Sequence, residues 1–424
     1  MNLLQKIKSL LFLVGHNLRQ HALSTTITVL SVGLATGLTM AVFSIQQQSR
    51  SAFTGGSVGF DAVLGARGSQ LQLVLNAVFQ LETSPGNIPW ALYEAVKNDP
   101  RVQLAIPYAV GDNYLGFRIV GTTDEIFTKF EYQKGRHLTL QPDGRFFDPT
   151  QREAVIGSFV SQKTRLKVGD TFKPYHGLFF DPNMQHEEVY TVVGVLKPTN
   201  TPSDRVVWIP IDGVYRMKGH VLRGTGKDYT AKAGVEIPDA NKEVSSVMLK
   251  FYNPQAGFMM DQTINRQGKV ATLAWPIGKV MAELFDKMGW VSKVLTLVAY
   301  LVMLVAAGSI LSSLYNTLNE RRREFAILRA LGAKRSTVFS SILLEASFIA
   351  GLGSLAGYAI YLGIFAAAAV VVRRQTGVVL DVFQFHAALA AVPIGMTVLG
   401  ALSGFIPAFK AYSTDVVRNL DPLS

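Results

Sequence analysis

Histidines are the side chains in this sequence best able to do chemistry: there are seven, at positions 16, 21, 137, 176, 186, 220 and 386, and no cysteine. Absent thiols rule out disulfides and thiolate metal sites. His176 and the run "QHEE", with His186, Glu187 and Glu188 in succession, offer the nitrogen and oxygen ligands that a metal such as zinc takes. A separation of ten positions between the two histidines fixes no geometry, so the stretch reads as a solvated loop and no metal is expected. No GxxxxGK[ST] occurs to cradle phosphates on backbone N–H groups, and no HExxH. The chain is not expected to be an enzyme.

Glu345 is unusual for another reason. It lies in a run of 37 residues without Lys or Arg, 336–372, long enough to cross a bilayer. A carboxylate there is costly and usually faces a bundle interior, water or a cation. Three more such runs occur, at 21–49, 294–318 and 387–409, in a chain of 424 residues that is 49% hydrophobic. Four transmembrane helices are therefore predicted. The first run is longer than a signal core and lacks a small-x-small cleavage site, so it is expected to be an uncleaved anchor. Gly33 with Gly37, and Gly353 with Gly357, place a GxxxG in the first and third spans, where small residues let helix backbones approach closely. Packing within one protomer is the plainer expectation, with part of an interface between two copies as the other.

Charge sets the orientation, because short loops rich in Lys and Arg stay on the cytoplasmic side. The first 20 residues hold Lys6, Lys8 and Arg19 and no acid. The loop after the second span holds Arg321, Arg322, Arg323, Arg329, Lys334 and Arg335, against only Arg373 and Arg374 after the third. Both termini are thus predicted to be cytoplasmic. Residues 50–293 carry 28 basic and 24 acidic side chains, so +7 of the net +11 lies beside the membrane, where topology explains it without nucleic acid.

The predicted order is a cytoplasmic segment (1–20), a span (21–49), an extracytoplasmic domain (50–290), a span (291–318), a basic helix (319–335), a span (336–372), a short outer loop (373–386), a span (387–409) and a cytoplasmic tail (410–424). The outer domain reads as mixed α and β, with length for two subdomains. A helix is predicted over 89–98, and strands over 102–107 and 114–120. "EAVIGSFVSQKTRLKVGDTF" reads as strand, short helix, Gly-Asp turn and strand, and "EEVYTVVGVLKPTNTPSDRVVWIPID" as two strands around a loop. Residues 275–293 read as an amphipathic helix, carrying Ile277, Met281, Leu284 and Met288 at helical spacing. It is expected either to lie at the membrane interface or to act as a shaft into the second span.

The basic stretch places Phe325, Ile327, Leu328 and Leu331 on one predicted side and Arg322, Arg323 and Arg329 on the other, with Gly332 at the end. Taken alone, that pattern suits anionic lipid. Yet "ERRREFAILRALGAKRSTV" resembles the cytoplasmic signature of the FtsX-like permease family of ABC transporters. The matching positions are Glu320, Glu324, Ala326, Ile327, Leu328, Arg329, Ala330, Leu331, Gly332 and Ala333. "HNLRQHALSTTITVLSVGLATG", the outer strands named above and "AFKAYSTDVVRNLDP" are similar to further parts of the family, in the same order.

That resemblance implies a MacB-like fold of four transmembrane helices and a large α/β extracytoplasmic domain, in a multi-pass protein of the bacterial inner membrane. It implies that residues 320–332 form a coupling helix docked on a separate cytoplasmic ATPase dimer, which holds the ATP and Mg²⁺. Phe325, Leu328 and Leu331 would be docking contacts, and Arg322, Arg323 and Arg329 charge partners. Because the family often has an acid at Glu345, a conformational role is expected there. A second permease, identical or homologous, is implied, and a periplasmic partner is possible. The expected function is coupling of ATP hydrolysis to movement of the outer domain, exporting or extracting a lipid-linked, amphiphilic or periplasmic cargo. The alternatives are a mechanotransmitting regulator of a periplasmic enzyme and, in another class, a receptor or scaffold with no ATPase.

Overall fold

The computed structural model describes residues 3–54, 59–232, 234–376 and 379–413. The expected tail, 410–424, lies mostly outside them. The chain divides into two compact units, one of residues 1–49, 288–371 and 380–424, the other of 50–287 and 372–379.

The first unit is helical: α1 (Leu3–Gln20), α2 (Ala22–Thr54), α3 (Gly289–Glu320), α4 (Arg322–Ala330), α5 (Arg335–Thr376) and α6 (Ala387–Ser413). Among the described residues α2, α3, α5 and α6 are long and apolar enough to cross a membrane. Val32 and Ala35 of α2, Met303, Ala306 and Ile310 of α3, Ala346 and Ile349 of α5 and Met396 of α6 form their common core. Many large apolar side chains elsewhere on these helices, among them Leu301, Leu304, Val305, Leu355 and Ile394, point outward. Lipid tails solvate such a surface.

Both GxxxG pairs are used inside the chain, and against each other. A methyl on Gly37 would lie 2.7 Å from the Gly357 carbonyl oxygen, one on Gly33 3.2 Å from that of Gly353, and one on Gly353 2.5 Å from the Val32 side chain. The two backbones touch, which no larger residue permits. A third pair, Gly400 and Gly404 of α6, passed over in the sequence, seats α6 on Ala350 and Ala346 of α5 in the same way. Pro393 lies inside α6, has no N–H, and so leaves the Leu389 carbonyl without its helical donor. The Tyr358 hydroxyl of α5 donates to that carbonyl at 2.6 Å.

The second unit is built on a ten-stranded sheet. Its strands are β1 (Ala62–Ala66), β2 (Val102–Tyr114), β3 (Phe117–Thr122), β4 (Glu153–Ile156), β5 (Thr171–Phe172), β6 (Tyr175–His176), β7 (Tyr190–Val195), β8 (Val207–Pro210), β9 (Ser246–Phe251) and β10 (Ala271–Ala274). They run in the order β10-β1-β9-β2-β3-β8-β4-β7-β5, with β6 also paired to β2. The long β2 serves two half-sheets. Its first part pairs with β9, and its second part, from Ala109, pairs with β3 and, at Asp112 and Asn113, with β6. Alternate side chains enter two cores, Ala105 and Ala109 one, Ile106 and Tyr108 the other.

Two expectations are corrected here. The strand predicted over 114–120 is interrupted at once, because Leu115 and Gly116, both at positive φ, make a two-residue turn between β2 and β3. The helix after Trp275 is Ile277–Lys287 and stops before α3 begins at Gly289. Its stripe of Ile277, Val280 and Met281, with Leu284 beside it, is packed in the core of the α/β unit. It is neither an interfacial helix nor an unbroken shaft.

The close contact of α2 and α5 gives a direct test. Gly37→Leu is expected to destabilise the detergent-solubilised protein by roughly 1–3 kcal/mol through overpacking, lowering its thermal midpoint. Gly363→Ala, where a methyl meets nothing within 4 Å, should leave the midpoint unchanged or raise it.

Candidate functional site

The basic loop after α3 begins with a residue that turns inward. Arg321, between α3 and α4, is only 5% exposed. Its Nη1 donates to Glu345 Oε2 at 3.4 Å, its Nε donates to Glu324 Oε2 at 3.1 Å, and its guanidinium stands 4.8 Å from the centre of the Phe325 ring. Asn17 of α1 donates through Nδ2 to the same Glu345 oxygen at 3.3 Å. Glu345, ten residues into α5, is buried as well. Three segments therefore converge on one carboxylate. A charge so placed is tolerable because a cation and an amide meet it.

From this anchor α4 runs to Ala330 and ends on Gly332, whose φ of +98° is the left-handed conformation glycine adopts freely. The Gly332 N–H donates to the Arg329 carbonyl at 3.0 Å and the Ala333 N–H to that of Leu328 at 3.0 Å. These two bonds satisfy the last carbonyls in a Schellman closure. The helix is short and its end is fixed, so its rotation about its own axis is fixed too.

That rotation divides the apolar stripe. Phe325 is packed with Leu318, Val338, Ile342, Ala408 and Ala411, and half-buried Leu328 lies against them. Ile327 and Leu331 face out, 45% and 81% exposed. At 3.6 residues per turn Ile327 stands about 200° around from Phe325, so the four do not share a side. Phe325, expected as a docking contact, is instead buried and holds α4 to α3, α5 and α6, while half-buried Leu328 is in part committed to the same cluster. Arg322 and Arg323 are exposed, Arg322 donating to Asn319 Oδ1 at 2.7 Å, while Arg329 is half-buried. Glu324 is exposed and bonded to Arg321, and Glu320 is exposed 3.5 Å from His21 Nδ1.

Arg321 and Asn17 are the members that sequence reasoning missed. Both lie in stretches it singled out, "ERRRE" and "HNLRQ", but only the packing of α1, α3 and α5 shows which polar side chain points inward. Gly33, Gly37, Gly353 and Gly357 lie together between α2 and α5, as described. In the other unit His176 and His186 have their ring centres 5.4 Å apart, and His186 is 8% exposed rather than on a solvated loop. Glu187 is exposed, 3.3 Å from Lys218 Nζ. Glu188 accepts the Lys218 backbone N–H at 3.0 Å, its other oxygen 3.9 Å from His186 Nδ1 and beyond hydrogen-bond reach.

Four spans, a buried ion pair under a short basic helix and a large α/β domain define an integral membrane protein of permease architecture. Two sequence profiles fit it: "MacB-like periplasmic core domain" over residues 25–247 and "FtsX-like permease C-terminal" over 296–416. The chain belongs to the MacB/FtsX-like family of permeases. It is 32% identical over 292 residues to the pyoverdine export ATP-binding/permease protein PvdT of Pseudomonas aeruginosa, covering 66% of this chain and 39% of that one. To the macrolide export ATP-binding/permease protein MacB of Bordetella avium it is 22% identical over 346 residues, covering 77% and 47%. It thus spans less than half the length of these two relatives. The crystal structure of the periplasmic region of MacB from Actinobacillus actinomycetemcomitans covers 54% of this chain and 94% of its own, at 11% identity and a TM-score of 0.33.

The ion pair makes a double-substitution prediction. Glu345→Ala leaves Arg321 without its membrane-side partner and is expected to cost roughly 3–5 kcal/mol, as does breaking buried pairs elsewhere. Arg321→Met combined with Glu345→Leu should recover most of the lost thermal midpoint. Additive losses in the two single and the double variants would remove the pair from the account.

Proposed function

We propose that this chain is the membrane-spanning subunit of an ABC transporter. In this reading a cytoplasmic ATPase dimer binds α4, and closure of that dimer on ATP moves the helices and with them the extracytoplasmic domain. ATP and Mg²⁺ are held outside this sequence, which has no P-loop. The observation that carries the reading is the divided α4: one face is locked to the spans through Phe325 and Arg321, and the other offers Ile327 and Leu331, with Arg323 beside them. Two exposed apolar side chains with Arg323 beside them suit a groove on a partner protein. A helix locked on its inner face passes a displacement to the spans rather than rolling.

The names of the relatives describe export, of pyoverdine and of macrolides, which favours outward movement of an amphiphilic or periplasmic cargo. Among the described residues of the span helices Glu345 is the one buried charge, paired with Arg321 near one end, and the other buried polar side chains, among them Thr28, Thr36, Thr39, Ser44, Gln48 and Ser354, are neutral, so no charged path runs along the spans. Motion transmitted across the membrane, acting on cargo at the outer domain, fits that better than passage through the helices. Two copies of the chain, or this chain with a homologue, would match the two-fold ATPase.

Affinity purification from native membranes tests this reading. An ATPase is expected to accompany the wild-type chain and to be lost from Ile327→Asp/Leu331→Asp, which should fold normally because both side chains are exposed. Phe325→Asp should instead lower the thermal midpoint of the chain itself. Recovery of no ATPase with the wild type would sink the proposal. Given the complex, Glu345→Gln is expected to keep the subunits together while lowering transport per ATP hydrolysed, and unchanged coupling would remove Glu345 from the transmission path.

A further inference from the structure

Three imidazoles and one carboxylate converge in the α/β unit, from segments far apart in sequence. Asp112 lies on β2, His176 on β6, His186 ten residues on, and His220 after the turn at Gly219. From Asp112 Oδ1, His186 Nε2 is 3.0 Å away, His220 Nε2 3.1 Å and His176 Nδ1 3.4 Å. The three rings form a near-regular propeller, with centres 5.3–5.5 Å apart and planes inclined at 69–78°.

Hydrogen bonding alone does not account for this arrangement. A carboxylate oxygen has two lone pairs, yet Oδ1 faces three nitrogens, while Oδ2, on a residue 1% exposed, has no partner at all. Burying an unpartnered carboxylate oxygen is unfavourable. The spacing fits another geometry. Ligand atoms about 2.0–2.1 Å from a tetrahedral ion stand about 3.3 Å from one another, and the three oxygen-to-nitrogen separations bracket that value. All four donor atoms lie within 4.8 Å of one another.

The geometry points to a binding site for a divalent transition-metal ion, held by His176 Nδ1, His186 Nε2, His220 Nε2 and Asp112. Three nitrogens and one oxygen, with no thiolate, are a donor set for zinc, cobalt or nickel rather than for calcium or magnesium. Asp112, buried and with all three imidazole nitrogens turned toward its Oδ1, would be the anionic ligand. Entry is from the His176 side, where the side chain is 45% exposed against 6% and 12% for the other two histidines. A bulge at Gly111 in the β2–β3 pairing sets the register at Asp112, and a methyl on Gly111 would meet His220 Cε1 at 3.4 Å. Occupied, the site ties β2 to β6 and to the segment carrying His220. Glu187 takes no part.

The test uses the full-length chain, purified in detergent with a histidine-free affinity tag and stripped with chelator. One Co²⁺ per chain is expected, with the strong visible absorption of tetrahedral cobalt, displaced by one Zn²⁺. Zn²⁺ should also raise the thermal midpoint of the wild type. His176→Gln, His220→Gln and Asp112→Asn should each weaken Zn²⁺ binding by at least about 10-fold, with Glu187→Gln at wild-type affinity. Should the more buried substitutions unfold the chain, His176→Gln, on the exposed side, decides the matter by itself. Absence of stoichiometric metal at micromolar Zn²⁺, or equal affinity in the His176→Gln variant, overturns the assignment.

Discussion

A carboxylate placed among apolar helices is costly without a partner, and here a cation that meets it organises the end of the bundle that carries the basic loop. Glu345 draws in Arg321 from the end of α3 and Asn17 from α1. Arg321 in turn holds Glu324 and covers Phe325, so α4 begins at a fixed point with a fixed rotation. The outward faces of α4 are what remains after that demand has been met. A hydrophobic residue at 345 would leave the arginine nothing to pair with on the membrane side, and the junction of α3 and α4 would lose its reason to turn inward.

The rest of the helical unit is set by close approach. Gly33 and Gly37 against Gly353 and Gly357 join α2 to α5, and Gly400 and Gly404 join α6 to α5. In a bilayer there is little hydrophobic gain in bringing apolar helices together, so dispersion between touching backbones becomes the main attraction. Helix α5 is common to both contacts and also carries Glu345. It is the element on which α2 and α6 are seated.

Much of this was legible in the sequence, and the gaps have identifiable causes. Long apolar runs define spans whatever their neighbours do, and period-two patterns with turn residues located several of the outer strands. What could not be read was which face of a helix meets its own chain. The apolar residues of α4 look equivalent in one dimension, and only packing against Val338, Ile342 and Ala408 separates Phe325 from Leu331. Asp112 and His220 were invisible as partners of His176 and His186 for a similar reason. They lie 74 residues before and 34 after His186, and β-sheet pairing and a chain reversal, not local spacing, bring them together. The outer helix at Ile277–Lys287 was misplaced because an amphipathic stripe does not say whether protein or membrane covers it.

The bond from Tyr358 to Leu389 has a mechanical consequence. Proline at 393 has released the carbonyl of Leu389, and a phenol from the neighbouring helix is what satisfies it. Sliding α6 along α5, or turning either about its axis, would strip that carbonyl of its donor, a loss of about 1 kcal/mol or more. The two helices are thereby geared together: a stroke delivered to one is delivered to both.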